Sequence, residues 1–136
     1  MSAINRVTII EIPKVHDHRG KLAVVEKDVI PFLMKRIYYL FDVPSDAYRG
    51  GHAHKKQESL LIALSGSFEV VVNDGEHKKR VMLNKPTKGL FIPTGIWREI
   101  DNFSSGAICL VMASTEFTED DYIRDFGDFV ASKTGK

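Results

Sequence analysis

The segment RGGHAHKKQESLLIALSGSFEVVVNDG, residues 49–75, decides the fold class of this chain. It holds a His-x-His pair, then two apolar runs, then a turn signal at Asp74-Gly75. Alternate residues of a strand face the same side, so His52 and His54 are expected to project together. Glycine accepts the positive φ of a tight turn, so the strands on either side of Gly75 are expected to pair antiparallel. The segment therefore predicts β-structure with two histidines on one face.

The rest of the chain continues this pattern. Short runs rich in β-branched and aromatic residues alternate with glycine and proline, which is typical of strands separated by turns. Apolar side chains then recur every three or four positions behind acidic residues 119–121, and predict a short C-terminal helix that starts near Thr118 and is interrupted near Gly127. These elements predict one all-β domain, 1–136, built as a closed barrel or jelly roll. Ten strands are predicted, at residues 6–12, 21–27, 34–43, 50–55, 58–66, 67–74, 77–84, 89–95, 98–103 and 107–114.

Composition narrows the possible partners and compartment. The chain has 19 Lys and Arg against 18 Asp and Glu, a net charge of +1. With no run of like charges, we expect it to bind neither nucleic acid nor a membrane. The single cysteine, Cys109, lies in an apolar run and is expected to be a buried, inert thiol in a reducing compartment. No signal-peptide core and no run of eighteen apolar residues is present, so a cytoplasmic protein is expected.

The His-x-His pair raises the question of a metal site, because the sequence resembles the cupin superfamily. The matching residues are Gly51, His52, His54, Glu58 and Gly66 in a first motif, and Pro93, Gly95 and Asn102 in a second. Where cupins place a third histidine this chain has Arg98, and the usual acidic position falls on Ser59. A guanidinium remains charged and repels a divalent cation, so we predict no metal and no cofactor. A metal-dependent cupin enzyme stays open as an alternative.

The arginines point instead to an anionic ligand. Arg98 offers five donors and a permanent charge, which suit a phosphate or a developing oxyanion. Arg19, Arg36 and Arg49 also lie near predicted strands, and Arg36 shares a face with Tyr38, two residues away. Trp97 either stacks on a ligand or packs in the barrel. Together these residues predict a site for an anion that is lined by histidine and tyrosine.

Residues 35–75 and 89–126 resemble the sugar 3,4-ketoisomerases that act on dTDP-4-keto-6-deoxyglucose. The resemblance rests on RGGHAHK, on the segment PTGIWRE and on the element DYIR. It implies a cupin-type double-stranded β-helix that works as a homodimer without a metal and moves a keto group from C4 to C3. The product is then aminated toward 3-amino sugars of surface polysaccharide, such as lipopolysaccharide or S-layer glycans. The apolar strand 6–12 is expected to pair with the sheet of a neighbouring subunit.

The resemblance also implies roles for individual residues. His52 is the base that shuttles the carbon-bound proton, Tyr38 assists at the oxygens, and His54 completes the site. Histidine suits the first role because its ordinary pKa is near neutral. Arg98 stabilises the enediolate or orients the sugar, and the other substrate contacts are Arg19, Arg36, Arg49 and Trp97. Two alternatives stay open: a nucleotide-sugar 3,5-epimerase, and a non-catalytic module that binds a nucleotide sugar.

Overall fold

A computed structural model describes residues 3–134, and in this range twelve strands form two five-stranded sheets and one hairpin. The first sheet has the order β1-β9-β6-β11-β4, the second β12-β5-β10-β7-β8, and β2 pairs with β3. The strands are β1 (Thr8–Glu11), β2 (Lys14–Asp17), β3 (Gly20–Ala23), β4 (Arg36–Leu40), β5 (Arg49–His54), β6 (Ser59–Ser65), β7 (Phe68–Asn73), β8 (Lys78–Leu83), β9 (Lys88–Ile92), β10 (Trp97–Asp101), β11 (Ile108–Ala113) and β12 (Tyr122–Ile123). One α-helix, α1 (Phe126–Thr134), follows, and short 3-10 turns lie at Ala3–Arg6, Lys27–Val29 and Glu119–Asp121.

The two large sheets face each other across a common core. Leu61 and Val111 of the first sheet pack in one buried cluster with Val70, Val72 and Ile100 of the second. Alternation along each strand supplies these inward side chains, as expected for two packed antiparallel sheets. The predicted all-β fold, a cupin-type jelly roll with a short C-terminal helix, is confirmed.

The hairpin predicted at Asp74-Gly75 is present. Strands β7 and β8 pair antiparallel from Phe68↔Leu83 to Asn73↔Lys78, and Gly75 has a φ of +100°. The Asp74 carboxylate accepts hydrogen bonds from the backbone N–H groups of Glu76 and His77 within the turn. It also accepts one from Ile4, 70 residues away, so the turn anchors the N-terminal segment.

The start of the C-terminal helix differs from the prediction. Tyr122 and Ile123 form β12 and pair with His54 and Ala53 of β5, so the helix begins only at Phe126. Asp125 sets that start by accepting a hydrogen bond from the Asp128 N–H, as an N-cap residue does. Gly127 lies inside the helix and does not interrupt it. The spacing of the apolar residues fits both a helix and a short strand at Tyr122 and Ile123. The strand forms because the edge of β5 is available for pairing.

The N-terminal strand pairs inside its own chain. β1 runs antiparallel to β9, from Thr8↔Phe91 to Glu11↔Lys88, at the edge of the first sheet. Its other edge has no partner strand in the described part of the chain, so pairing with the sheet of a neighbouring subunit stays a prediction. No helix within residues 3–134 is long and apolar enough to cross a membrane.

Candidate active site

Two paired strands, β5 and β10, set the geometry of the site. Arg98 lies opposite His52, and the register then shifts so that Glu99 lies opposite Gly50. Such bulges re-aim side chains and are frequent next to active sites. Gly50 has a φ of +83°, and a Cβ there would lie 3.1 Å from the carbonyl oxygen of Arg98. Only glycine therefore allows the close approach of β5 and β10 that places His52 beside Arg98.

These strands enclose a cavity of about 70 Å³ between the sheets. Its lining is Tyr38, Leu40, Arg49, Gly50, His52, Leu61, Arg98, Ile100 and Val111. The ring of His54 lies next to this lining, with its centroid 4.8 Å from that of His52. The guanidinium of Arg36 lies 4.8 Å from the centre of the Tyr38 ring. The structure thus brings together six of the eight predicted site residues.

Several buried nitrogen atoms around this cavity lack hydrogen-bond partners. In residues 3–134, the buried side-chain nitrogen and oxygen atoms without a hydrogen bond are Arg36 Nε, His52 Nδ1, His52 Nε2, His54 Nε2 and Arg98 Nε. Buried polar atoms are paired in the large majority of cases, since leaving one unpaired is costly. All five belong to residues of this one cluster. Such a concentration indicates a site prepared for the polar groups of a ligand.

Both histidines are neutral near pH 7. Burial, followed by the charge of Arg98, lowers the pKa of His52 to about 3 and that of His54 to about 2. Burial is also the main cause that raises the pKa of Tyr38, whose phenol therefore keeps its proton. Each neutral imidazole has one nitrogen that donates and one that accepts. The site consequently contains two uncharged imidazoles, each with one nitrogen that can accept a hydrogen bond.

Arg98 supplies the buried positive charge. Its side chain is almost fully enclosed, and its Nη2 donates one hydrogen bond of 3.3 Å to the carbonyl oxygen of Ile96. Burial lowers the pKa of its guanidinium to about 10, so the group is still charged at neutral pH. A buried cation with an unpaired Nε favours an anion, or a transition state that develops negative charge.

Two predicted contacts do not reach the cavity. Trp97 neighbours Arg98 on β10 and therefore faces the other side, where it packs against Phe126 and Phe129 and donates from Nε1 to Glu99. Arg19 lies at the turn of the exposed β2–β3 hairpin, paired with Asp17 at 2.7 Å. Within one chain, neither residue contributes to the site around His52.

The structure adds two residues that the sequence analysis did not assign to the site. Because β12 pairs with β5, the ring of Tyr122 lies 4.9 Å from that of His52 and 4.4 Å from that of His54, between centroids. The buried carboxylate of Asp121 lies 2.9 Å from His54 Nδ1. The element DYIR was the available signal, but its helical spacing hid the pairing with β5.

The donor set does not fit a metal centre. Ser59, at the position where cupins carry an acidic ligand, is buried and accepts a hydrogen bond from Gln57 Nε2. The guanidinium of Arg98 stands where a third histidine is expected. In the described part of the chain, no three His, Cys, Asp or Glu residues come together in a way that would hold an ion.

The fold and the site together define a class of protein: a cupin-type jelly roll whose cavity is lined by histidine and tyrosine beside a buried arginine. Residues 5–134 match the family model described as FdtA: WxcM-like, C-terminal. The TDP-4-oxo-6-deoxy-alpha-D-glucose-3,4-oxoisomerase of Aneurinibacillus thermoaerophilus is 40% identical over 122 residues, or 89% of this chain and 88% of that protein. The chain belongs to this WxcM-like family of sugar 3,4-ketoisomerases, and the enzyme class predicted from the sequence is confirmed.

Solved structures agree with this assignment. A 3,4-ketoisomerase from Helicobacter canadensis has 45% sequence identity and a TM-score of 0.92, covering 94% of this chain and 97% of that chain. A variant of the 3,4-ketoisomerase QdtA from Thermoanaerobacterium thermosaccharolyticum, in complex with TDP-4-keto-6-deoxyglucose, has 35% identity and a TM-score of 0.92, covering 96% and 95%.

Proposed function

We propose that this protein moves the keto group of TDP-4-keto-6-deoxyglucose from C4 to C3. The observation that carries the proposal is the set of five unpartnered nitrogens around one cavity, on residues that include two neutral histidines and a buried arginine. Adjacent hydroxyl and carbonyl groups of a sugar supply the donors and acceptors that these nitrogens lack. Relatives with the same fold are named for this reaction.

The reaction needs two carbon-bound proton transfers and one exchange between oxygens. His52 accepts the proton from C3, the C3–H electron pair forms the C3=C4 double bond, and the C4 carbonyl becomes an oxyanion beside Arg98. Tyr38 assists as the O3 proton moves to O4, which leaves the negative charge on O3, and this oxygen becomes the C3 carbonyl as the C3=C4 electron pair forms the new C4–H bond. C4 then takes a proton back from His52, so atoms and electrons balance without an outside oxidant. This arrangement supplies general acid–base catalysis and electrostatic stabilisation of the oxyanion.

In the unliganded cavity, burial first and the charge of Arg98 second lower the pKa of His52, and the reaction itself offsets the second of these causes. The charge of Arg98 is one of the groups that hold the pKa of His52 near 3. When the C3 proton leaves, negative charge appears on the C4 oxygen and offsets that of Arg98. The basicity of His52 therefore rises in the step that requires it.

The nucleotide part of the substrate is expected to lie at the open side of the cavity. The cavity volume of about 70 Å³ leaves no room for a nucleoside diphosphate beside the sugar. Arg49 lines the cavity and is exposed, so it is placed to meet a phosphate at the mouth. Arg124 is half-exposed, with its guanidinium 4.2 Å from the centre of the Tyr122 ring. These two arginines are the proposed contacts to the diphosphate.

The direct test incubates the purified protein with TDP-4-keto-6-deoxyglucose in D₂O and follows the sugar by ¹³C and ¹H NMR. We expect the carbonyl carbon to change from C4 to C3 while the hydrogen at C5 is retained. A carbonyl that stays at C4 while deuterium enters at C3 and C5 would support a 3,5-epimerase instead. Saturable binding of TDP with no change in the sugar would support a binding module.

We also propose that the protein forms a homodimer through the outer face of the first sheet. Ile37 and Tyr39 project outward from edge strand β4, Phe41 follows this strand directly, and each of the three is about half exposed or more. Leu64 extends this apolar surface, with Leu110 next to Tyr39 in the sheet register. Contiguous exposed apolar surface of this kind marks interfaces, and a second copy supplies a matching surface about a two-fold axis.

Replacing Tyr39 by glutamate is expected to convert the dimer into a monomer, because two buried like charges would oppose each other across the axis. Light scattering coupled to gel filtration measures the mass. Met82→Glu is the matched control, since Met82 is similarly exposed but lies on β8 of the other sheet. A wild-type monomer at assay concentrations, or a dimer that survives Tyr39→Glu but not Met82→Glu, would contradict this interface.

A further inference from the structure

Asp121 is a buried carboxylate beside the site with three hydrogen bonds. Its Oδ1 accepts the Lys56 N–H at 2.6 Å. Its Oδ2 lies 2.9 Å from His54 Nδ1 and accepts the Gln57 N–H at 3.3 Å. Asp121 is 5% exposed and His54 is completely enclosed, so the contact is held away from solvent.

This contact fixes the position of the hydrogen on His54. A carboxylate that already binds two backbone N–H groups acts as an acceptor, so the hydrogen of the shared bond sits on His54 Nδ1. A neutral imidazole has one hydrogen, so Nε2 is left with a lone pair. That Nε2 is buried and has no partner in residues 3–134, and the rings of His52 and Tyr122 lie within 5 Å of its ring.

We propose that Asp121 is a positioning residue of the isomerase site, holding His54 as the Nδ1-protonated tautomer so that Nε2 is available to accept a hydrogen bond. The inference rests on the proposed function. It gives the site an acceptor beside two groups that only donate: Arg36 and Arg98 carry no acceptor atom. Arg36 already uses Nη2 to hold the Gln57 side-chain oxygen, at 2.7 Å.

An accepting Nε2 has a defined use in the reaction. Each sugar hydroxyl donates a hydrogen bond and needs an acceptor while protons move between O3 and O4. The N–H of His52 also needs an acceptor if the other nitrogen of this ring is to act as the base. His54 lies beside the His52 ring, 4.8 Å away between centroids, where Nε2 can serve as this acceptor. The opposite tautomer would instead place another donor near the charges of Arg98 and Arg36. The contribution of His54 to the site therefore depends on which ring nitrogen carries the hydrogen, and not only on how the ring packs.

Asp121→Asn is expected to reverse the tautomer of His54, because the new amide places a donor opposite the Nδ1–H donor. Each carboxylate oxygen accepts one peptide N–H, and the bond from Lys56, at 2.6 Å, is much shorter than the bond from Gln57, at 3.3 Å, so the amide oxygen stays on the Lys56 side. The amide NH₂ then faces His54 Nδ1, and the imidazole responds by moving its hydrogen to Nε2. We expect kcat to fall by about 10²–10³-fold with KM little changed, the behaviour of a catalytic histidine held in the wrong tautomer.

The tautomer is measured directly by long-range ¹H–¹⁵N NMR of the histidine rings, with the His54 signals assigned from their loss in His54→Gln. The wild type is expected to carry the hydrogen on Nδ1 and Asp121→Asn to carry it on Nε2. The matched control is Asp120→Asn, the same change one residue earlier at an exposed position, with tautomer and kcat as in the wild type. A purely structural role for Asp121 would alter the melting temperature but not the tautomer.

Three results would overturn the inference: a wild-type His54 with its hydrogen on Nε2, an unchanged tautomer in Asp121→Asn, or a reversed tautomer with full kcat. The first needs only the wild-type protein, so it decides the matter even if Asp121→Asn does not fold. Absence of isomerase activity in the wild type would instead defeat the proposed function, while the NMR result would still report on the Asp121–His54 contact.

Discussion

Replacing His52 by asparagine is expected to lower kcat for the 3,4-isomerisation by at least about 10³-fold. The asparagine amide approximates the size of the imidazole and keeps a hydrogen-bonding group in the cavity, but it cannot take a proton from carbon. Affinity for TDP is expected to stay within about threefold, because the proposed contact of His52 is with the sugar end of the ligand and not with the nucleotide. NMR of the sugar measures the first quantity, and titration calorimetry with TDP measures the second.

His77→Asn is the control for this prediction. The His77 side chain is 58% exposed at the β7–β8 turn, outside the cavity, so the same chemical change should leave kcat unaltered. Retention of more than about a tenth of the activity by His52→Asn would remove His52 from the role of base. Loss of TDP affinity together with activity would indicate instead that His52 holds the ligand rather than the proton.

Much of the fold was predictable because it depends on local patterns. Alternating apolar residues and the Asp74-Gly75 turn predict β7 and β8 without reference to the rest of the chain. Strand β12 was not predictable in this way. It has two residues, and Tyr122 and Ile123 become a strand only because His54 and Ala53 offer a free edge beside them. Two paired residues carry too little sequence pattern to outweigh a helical spacing.

The site was predictable where it depends on strand alternation, and not where it depends on tertiary pairing. His52 and His54 share a face because they are two residues apart, and Arg98 was singled out by its place in a known motif. Asp121 reaches His54 across 67 positions of sequence, through the pairing of β12 with β5. Trp97 neighbours Arg98 in sequence, but strand alternation places the two side chains on opposite faces of β10. Trp97 packs under the C-terminal helix and Arg98 faces the cavity. The sequence alone did not reveal which of the two faces the cavity.

Replacing Arg98 by methionine is expected to lower kcat by about 10²–10³-fold and at the same time to stabilise the fold. The loss of activity follows from the loss of the cation beside the C4 oxyanion. Methionine is unbranched and close in length to arginine, so it fills the same space between the sheets without a charge. Activity is measured by NMR of the sugar, and stability by urea unfolding monitored by circular dichroism.

The gain in stability follows from the cost of burying the guanidinium. Folding lowers the pKa of Arg98 from the ordinary 12.5 to about 10. A base with a lowered pKa in the folded state disfavours folding at every pH below that value, so the full cost, about 3 kcal/mol, applies at pH 7. Methionine removes this cost and gives up one hydrogen bond to Ile96. We expect the free energy of unfolding to rise by about 1–3 kcal/mol.

Arg80→Met separates this effect from a general effect of removing an arginine. Arg80 is half exposed on β8 and pairs with Glu69 and Asp101 at the surface, so its replacement should change stability by less than about 1 kcal/mol and leave kcat alone. A more stable but inactive Arg98→Met enzyme would show that the buried charge is kept for the reaction at the expense of the fold. A destabilised Arg98→Met protein would mean that the guanidinium supports the barrel, and full activity would mean that it does not stabilise the oxyanion.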